Sequence, residues 1–589
     1  MKNTMLLILI LCLPVMLLLP HTTQAQTPNV YIKSGATVTV TGAASIVIKD
    51  GGLVNDGTYT KGTETVTFSG TTASTISGSS NTAINNLSIT NTGGITTQMG
   101  LLTTNNLTID SKLTVDPVKA VTVLGTTTLN LAQCLVLKST ASGTASFIDN
   151  GTISGSGTMN AKRFLAPYNA TNDQMFHFLS SPVVNQAIVP VFSNPPTMSG
   201  TDFYAWDEIG YQWINARATG DVWNSSFEAN FVQGKGYLVA YPADVTKDFV
   251  GTPYTNSTGL NIICTKTLNK GNGWNLLGNP FPSSIDWDLV TKGAGVDAAL
   301  YYYDNAAANY RYYIDFSGGL SGGTKDIPSM QGFMVHANTD GAQITIKNGD
   351  RTHLGLNQYY KSAMLASNIL DLKVEGNGYN DYARVCFYNN ATSEFDGEYD
   401  AFKMWSYNAK VPQIYMVTPT NAYLAINTLP VTAMESGTIP VSFKASQDGN
   451  FTITAEQLST FSPNTSIALE DKIAGTIQRL NNNPVYTFSA TQQDAPDRFV
   501  LRFMDVTAVS DPKTTKDFTV YAAHRILNIQ SLNQLGGKVM VTDMVGRTIA
   551  TGRIEAGATT QISMHGNTGV YIVSVITGKG RSNIKVIVK

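Results

Sequence analysis

Four carboxylates recur at every second position of one short segment: Glu394, Asp396, Glu398 and Asp400. Alternate side chains of an extended strand project to the same face, so on a strand these four would converge. Ca²⁺ binds about six to eight oxygen ligands and favours carboxylates. The segment lacks the D-x-D-x-D-G order of a calcium-binding loop. It therefore predicts either a Ca²⁺ site, the one cofactor left open by the sequence, or a solvated strand edge or loop whose charges discourage pairing with another chain.

Aromatic side chains form the largest candidate binding surface. Trp and Tyr rings stack on the apolar faces of sugars, and carboxylates such as Asp286 and Asp288 beside Trp287 accept hydroxyl protons. Consecutive tyrosines on a strand alternate faces, so part of the run 301–303 would be exposed. The alternative is that the rings are half-buried cross-strand pairs holding hairpins together, with Trp287 buried. The candidate binding residues are Trp206, Trp213, Trp287, Tyr301, Tyr302 and Tyr303.

Catalytic motifs lend little support to an enzyme. The sequence contains no H-E-x-x-H or C-x-x-C metal pattern and no P-loop. A glycosidase needs only two suitably spaced acids, and the chain has 41 Asp and Glu residues, so that class stays open. The sequence therefore leans against an enzyme without excluding one, and it identifies no catalytic residue.

The composition predicts an all-β protein. Charged residues make up 14% of the 589 residues, against about 25% in an average soluble domain, and Thr, Ser, Asn and Gly supply the remaining polarity. Thr fits the pleated surface of a sheet, while Asn and Gly accept the backbone conformations of tight turns. The net charge of −2, without a basic run, offers nucleic acid no electrostatic attraction, so nucleic acid is not an expected partner.

The chain begins with the pattern of a signal peptide over residues 1–25. Lys2 precedes an apolar run from Met5 to Leu19, and the small residues Thr23 and Ala25 follow. No later segment has about 18 consecutive apolar residues, so no membrane span is expected in the mature chain. The pattern predicts export from the cytoplasm.

Residues 26–163 predict a β-solenoid that resembles a parallel β-helix. The run 85–89 recurs at 105–109, and the run 127–131 repeats it loosely, about 22 residues further on. One inward L-x-I or L-x-L pair per turn would let each turn bury its apolar face on the next. A β-sandwich of many short strands gives similar local patterns and is the alternative.

The middle of the chain predicts two further β modules. Residues 164–350 form a duplicated β unit with a repeat of about 97 residues, and residues 351–504 have the alternating runs of a β-sandwich. A polar linker at 505–515 separates them from a last β segment at 516–589. The landmarks of the duplication are Pro182 and Pro280, Asp207 and Asp304, and Gly236 and Gly332.

The last segment resembles the C-terminal sorting domain of the type IX secretion system. The resemblance rests on a D-x-x-G turn, a G-x-Y-x-V strand and a basic final strand, whose residues are Asp543, Gly546, Gly569, Tyr571, Lys585 and Lys589. In that family the domain is a small β-sandwich that directs passage across the outer membrane and is usually cleaved. The resemblance implies the type IX secretion machinery as a partner and a location in the medium or on the outer cell surface, reached through the periplasm.

The rest of the chain is similar to large surface proteins exported by that route, through runs such as 273–287 and 395–404. We therefore expect a secreted or cell-surface structural and adhesive protein, which presents β surfaces to extracellular glycans or to host or cell-surface proteins. The alternatives are a carbohydrate-active enzyme, with a polysaccharide lyase or glycosidase site on the solenoid, and a non-catalytic glycan-binding module.

Overall fold

The protein is almost entirely β-sheet in the computed structural model, with 54% of residues in strands and 2% in helices, which confirms the all-β prediction. The predicted signal peptide, residues 506–515 of the predicted linker and Lys589 lie outside the described residues. The chain forms two compact units, Met1–Lys138 with Phe147–Asn160 and Ser139–Ser146 with Ala161–Lys589. The structure describes residues 29–167, 176–193, 202–355, 367–505, 518–523, 525–532, 535–543, 546–564, 568–578 and 580–588.

The first unit is a β-solenoid of about 6 turns, as predicted. Its main sheets contain β1-β4-β7-β9-β11-β14 and β17-β12-β10-β8-β6-β3 in spatial order. The hairpin of β15 and β16 belongs to the second unit, and β19 continues into that unit. The strands are β1 (Asn29–Ile32), β2 (Thr37–Thr39), β3 (Ser45–Lys49), β4 (Gly52–Asn55), β5 (Thr58–Thr60), β6 (Thr65–Ser69), β7 (Ser74–Ser77), β8 (Thr82–Ile89), β9 (Ile95–Thr97), β10 (Leu101–Ile109), β11 (Leu113–Val115), β12 (Ala120–Val123), β13 (Thr126–Leu129), β14 (Leu135–Leu137), β15 (Ser139–Thr140), β16 (Gly143–Thr144), β17 (Ser146–Asp149), β18 (Thr152–Ser154) and β19 (Met159–Leu165).

Parallel pairing stacks the turns of the solenoid in register. Leu107 and Ile109 lie beside the matching Leu and Ile of the preceding turn, and all four side chains are buried. On the other side, Leu107 pairs with Thr127 and Ile109 with Leu129. The spacing of about 22 residues that the sequence suggested for this turn was therefore two residues too long. Thr127 is buried in the inward position, and Leu131 is 51% exposed.

The second unit continues with two sheets that share a strand order. The first sheet runs β20-β25-β21-β22 and the second β28-β35-β31-β32-β33, in the two segments that the sequence aligned. The duplication itself stays a prediction. The elements are β20 (His177–Leu179), β21 (Asp202–Asp207), β22 (Gln212–Asn215), β23 (Arg217–Ala218), β24 (Val222–Trp223), β25 (Tyr237–Ala240), β26 (Val245–Gly251), β27 (Leu260–Ile263), β28 (Trp274–Gly278), β29 (Ser284–Asp286), β30 (Thr291–Lys292), β31 (Leu300–Asp304), β32 (Asn309–Ile314), β33 (Gly318–Leu320), β34 (Asp326–Ile327), β35 (Gly332–His336), β36 (Gln343–Ile346), a 3₁₀ turn (Asn348–Asp350) and β37 (Arg351–Thr352).

Apolar clusters cover both faces of the sheet that contains β31. Tyr301 and Tyr303 belong to one cluster, whereas Leu300 and the packed Tyr302 belong to the cluster on the opposite face. An antiparallel sheet often leaves one face to solvent, but this sheet is covered on both sides. Its consecutive tyrosines therefore alternate between two apolar cores, and Tyr301 and Tyr303 are buried.

The segment after residue 366 forms a β-sandwich from one large sheet. Its path is β46-β45-β48-β43-β41-β42-β39-β38-β44-β47, with β40 beside β42. Strands from both ends of the path share one apolar core, so the sheet folds over on itself. The elements are β38 (Ile369–Gly376), β39 (Tyr379–Phe387), β40 (Ala401–Phe402), β41 (Gln413–Val417), β42 (Tyr423–Leu429), α1 (Val431–Ser436), β43 (Thr438–Lys444), β44 (Gly449–Glu456), a 3₁₀ turn (Leu458–Thr460), β45 (Thr465–Asp471), β46 (Thr476–Arg479), β47 (Val485–Ala490) and β48 (Phe499–Asp505).

The C-terminal segment is a smaller β-sandwich. A sheet β49-β50-β53 and a sheet β52-β51-β54-β55 bury one common core. Among the described residues, no helix has the length and apolar character needed to cross a membrane. The strands are β49 (Phe518–Ala523), β50 (Ile526–Ser531), β51 (Gly537–Asp543), β52 (Thr548–Ile554), β53 (Thr559–Ser563), β54 (Gly569–Thr577) and β55 (Gly580–Val588).

Candidate functional site

The second unit contains a cavity of about 270 Å³ with charged, polar and aromatic walls. Arg163 reaches it from β19, His177 from β20, Tyr303 from β31 and Asp326 from β34, while Asn305 directly follows β31. These strands are distant in sequence, so no local motif marks the site. Further lining residues are Phe178, Tyr302, Asp304, Arg311, Thr324 and Gln331.

Arg163 is a buried cation with weak contacts. Its side chain is directed inward on β19, and the residue is only 8% exposed. One terminal nitrogen lies 3.4 Å from the carbonyl oxygen of Ser329 and 3.5 Å from Oγ1 of Thr144, and the other lies 3.3 Å from Oε1 of Gln331. Its Nε has no hydrogen-bond partner. Burial lowers the pKa of Arg163 to about 10, because the charged form loses its hydration.

His177 is held as a neutral ring. Its Nδ1 lies 3.0 Å from the side-chain amide nitrogen of Asn305, which donates, and its Nε2 lies 3.1 Å from the carbonyl oxygen of Ala166, which accepts. This pairing requires the proton on Nε2 and none on Nδ1. Burial lowers the pKa of His177 to about 4, and the charge of Arg163 acts in the same direction.

Three further residues of the cavity wall contain buried polar atoms that have no hydrogen-bond partner. These atoms are the hydroxyl of Tyr303, Oδ1 of Asn305 and Oδ1 of Asp326. Burial raises the pKa of Asp326 to about 6; the charge of Lys325 lowers it, and the charge of Asp286 adds to the rise. With Nε of Arg163, four residues of the cavity wall thus contain a polar atom without a hydrogen-bond partner.

The remaining charges at the cavity are already paired. Arg311 donates to Asp304 and, through another nitrogen, to the carbonyl oxygen of Ser321 at 2.5 Å. The hydroxyl of Tyr302 accepts a hydrogen bond of 2.8 Å from the backbone N–H of Thr324. Arg311 and Tyr302 therefore form part of the cavity wall.

One feature of the sequence does indicate this site. Ala161, Arg163 and Leu165 alternate on β19, and all three are buried. An arginine at an inward position of such an alternation is unusual, because arginine is almost never fully buried unless it is paired. Asp326 and Asn305 lie in polar runs that carry no comparable signal.

The predicted aromatic residues are divided between cores and the cavity. Trp287 and Tyr301 are fully buried; the indole N–H of Trp287 donates to the carbonyl oxygen of Ala298 at 2.8 Å. The hydroxyl of Tyr301 accepts from the backbone N–H of Phe402 at 2.9 Å. These two rings are therefore not on a surface that solvent reaches. Tyr302 and Tyr303, in contrast, line the cavity.

Trp206 and Trp213 form a half-buried aromatic group next to a cavity wall. Their ring centroids are 5.2 Å apart, and the exposed ring of Tyr211 packs edge-on against Trp206 at 5.8 Å. Trp213 stacks on Phe178, with centroids 6.5 Å apart. Because Phe178 lines the cavity, this aromatic group extends from the same site.

The acids beside Trp287 form ion pairs and hydrogen bonds of their own. Asp286 pairs with Lys325, whose Nζ also lies 3.8 Å from Asp288. Asp288 accepts a hydrogen bond of 2.8 Å from the hydroxyl of Tyr313. These contacts account for both carboxylates without a sugar.

The carboxylate segment is a turn, not the strand whose side chains would share one face. Glu394 accepts from Thr420 at 2.5 Å, and Asp396 accepts from the backbone N–H of Glu398 at 3.0 Å. Asp400 is fully buried and accepts from backbone N–H groups at 2.6 and 2.8 Å. These side chains thus satisfy local donors. In the part of the chain that the structure describes, no group of three or more His, Cys, Asp or Glu side chains is arranged to hold a metal ion.

The sorting-motif residues lie on the C-terminal sandwich. Asp543 ends β51 and accepts two hydrogen bonds from Arg547, from the backbone N–H and from Nε, at 2.9 and 2.8 Å. Gly546 has φ of +86°, in the left-handed region that favours glycine. Gly569 begins β54, and Tyr571 packs in the core at 5% exposure. Lys585 is exposed on β55.

Two known families match the chain. The family described as Domain of unknown function (DUF8693) matches residues 59–503, which is more than half of the sequence. The family described as Secretion system C-terminal sorting domain matches residues 523–589. A comparison with curated proteins found no match. The second match confirms the predicted type IX sorting domain, and the protein is therefore exported to the cell surface or the extracellular space.

Proposed function

Because this chain belongs to the family Domain of unknown function (DUF8693) and ends in a type IX sorting domain, we propose that it is a non-catalytic adhesive protein that binds an extracellular glycan in the cavity of its second unit. The glycan is held by hydrogen bonds to the cavity wall. The sheets of the second unit surround that site, and the sorting domain supplies the route to the outside.

One observation carries the proposal: four residues that line a single cavity contain buried polar atoms that lack hydrogen-bond partners. These atoms are Nε of Arg163, the hydroxyl of Tyr303, and Oδ1 of Asn305 and of Asp326. An unsatisfied buried polar group costs about 1–3 kcal/mol, so a ligand rich in hydroxyls that pairs with these side chains would offset part of that cost. Sugar hydroxyls both donate and accept, so they fit the mixed set.

The aromatic group beside the cavity supports a sugar over other polar ligands. Trp213 stacks on Phe178, and Tyr211 is 62% exposed next to Trp206. Rings of this kind contact the apolar faces of sugar units that extend from a bound residue. The cavity lies near the lower end of the range of known ligand pockets, about 300–1,000 Å³, so it holds one sugar unit.

The test is calorimetric titration of the secreted protein with a panel of oligosaccharides. We expect binding to at least one class, and Tyr303→Phe and Asn305→Ala should each weaken it by about fivefold, the value of one hydrogen bond near 1 kcal/mol. Tyr423→Phe is the matched control, since Tyr423 is exposed on β42 and does not line the cavity.

The same incubations are assayed for reducing ends and for unsaturated products. Product release that disappears on Asp326→Asn would replace the adhesive proposal with a carbohydrate-active enzyme. Absence of binding to every oligosaccharide, with the fold intact by circular dichroism, would refute the proposal.

A further inference from the structure

We propose that the cavity takes an acidic sugar, and that Arg163 binds the carboxylate of one uronic acid unit. This inference rests on the proposed function, because it names the glycan class of the same site. It follows from the positive charge of Arg163, which lines the cavity.

Arg163 differs from comparably buried arginines because it lacks a counterion. Arg384 and Arg498 each form a two-point ion pair, with Asp371 and Asp471, through hydrogen bonds of 2.6–2.9 Å. Arg163 instead has three neutral oxygens at 3.3–3.5 Å, and no carboxylate of the described residues forms an ion pair with it. A buried cation is unfavourable unless it is paired, so an anionic ligand group would gain most at this position.

The other ionisable side chains at the cavity do not need a charged ligand as a partner. Arg311 is neutralised by Asp304, and His177 is neutral through its two hydrogen bonds. Asp326 lines the same cavity with a free oxygen but does not pair with Arg163. The cavity therefore has one cation without an anion, and one carboxylate with an unused acceptor.

A uronic acid satisfies both groups at once. Its planar carboxylate matches the fork of the guanidinium, which arginine presents better than any other side chain. Its ring hydroxyls can pair with polar side chains of the cavity wall, among them Asn305 and Asp326. A neutral sugar would leave Arg163 unpaired, and Asp326 would repel a doubly charged phosphate more strongly than a singly charged carboxylate.

The test compares matched trisaccharides on the secreted protein by calorimetry. Galacturonate trisaccharide should bind at least about tenfold more tightly than galactose trisaccharide, which has the same ring hydroxyls without the carboxylates. Arg163→Gln should remove that preference and bring both to the same affinity. Arg163→Lys keeps the charge without the planar fork, and it should retain only part of the preference.

Two controls separate charge recognition from loss of fold. Arg217→Gln removes a cation of the same unit that does not line the cavity, and it should leave both affinities unchanged. Thermal denaturation of each variant reports the fold, and the comparison of the two trisaccharides on the unaltered protein needs no variant.

The outcomes distinguish this inference from the proposed function. Equal affinity for the acidic and neutral trisaccharides would overturn the acidic-sugar inference and leave glycan binding in place. A sulfated galactose trisaccharide that binds as tightly as the galacturonate would overturn the assignment to a carboxylate. Failure of every trisaccharide to bind would overturn both.

Discussion

Arg384 and Asp371 lie opposite each other on the adjacent strands β39 and β38 and form a buried ion pair through two hydrogen bonds, from Nε to Oδ1 at 2.6 Å and from Nη2 to Oδ2 at 2.8 Å. Arg384 also donates to the carbonyl oxygens of Ser317 and Gly319, at 2.5 and 2.9 Å. The pair thus joins the β-sandwich of residues 369–505 to β33 and the turn before it. A pair that is broken on one side leaves an uncompensated buried charge.

We predict that Arg384→Gln lowers the free energy of unfolding by about 3–5 kcal/mol, because Asp371 then remains buried without its cation. Urea denaturation of the purified protein measures the change. The control is Lys472→Gln, which breaks the exposed pair between Lys472 and Asp497 and should cost less than about 1 kcal/mol. Equal stability of the two variants would contradict the role given to the buried pair.

A second prediction concerns Asp326 and pH. Its pKa in the folded protein is about 6, above its ordinary value of 3.8, so the folded state holds the proton more tightly than the unfolded state. Stability from this group is present below about pH 4 and is lost as the pH rises through about 6. Asp326→Asn should therefore stabilise the protein by about 1 kcal/mol at pH 7.5 and change it little at pH 4.

The melting temperature at the two pH values measures this effect. The matched control is Asp304→Asn, which removes the partner of Arg311 at the same cavity and should lower stability at pH 7.5. If Asp326→Asn melts at a lower temperature than the unaltered protein at pH 7.5, then the ionised Asp326 does not destabilise the folded state, and the prediction fails.

The solenoid could be predicted because its signal is local and periodic. The Leu and Ile pairs 20 residues apart stack in register, but the next turn has Thr127 where the pattern searched for a leucine. Thr127 occupies the inward position although its hydroxyl is buried there without a hydrogen-bond partner, so a search for apolar residues alone misaligned the turn. The sequence offered half-buried tyrosines as one alternative but not their full burial, since alternation on one strand does not reveal that both faces of the sheet are covered.

The cavity could not be predicted because its residues come together only through tertiary pairing. Leu179 on β20 forms an isolated bridge with Gln331, and β31 pairs with β35 at Tyr301 and Met334. The sequence separates Leu179 from Gln331 by 152 residues and Tyr301 from Met334 by 33, and the polar side chains of these segments resemble those of ordinary turns. Only Arg163, at an inward position of an alternating strand, carried a recognisable sequence signal.

A third prediction tests the stacked core of the solenoid. Leu107 is fully buried between the turns above and below it, so Leu107→Ala should cost about 2–5 kcal/mol by leaving a cavity. Its neighbour Thr108 has a partly exposed side chain on the opposite face of β10, and Thr108→Ala should cost less than about 1 kcal/mol. Denaturation monitored by circular dichroism compares the two. A similar loss of unfolding free energy in both variants would contradict the burial of Leu107 and the partial exposure of Thr108 on opposite faces of β10.

The last prediction concerns export. Deleting residues 516–589 should leave the protein in the periplasm, because the matched sorting domain directs its passage across the outer membrane. Val573→Asp should have the same effect, since Val573 is fully buried in the core of the C-terminal sandwich and an unpaired carboxylate there would unfold it. Immunoblots of periplasm, outer membrane and medium measure the distribution.

Lys585→Ala distinguishes folding of the sorting domain from recognition of its surface. Lys585 is exposed on β55 and its substitution should leave the sandwich folded. If the machinery reads the fold, the variant reaches the outside at the normal level; if it reads the basic strand, the variant is retained while its melting temperature is unchanged. Because the core residues alone make the sandwich, we expect normal export of Lys585→Ala and retention of Val573→Asp. Normal export of the protein lacking residues 516–589 would contradict the assigned route.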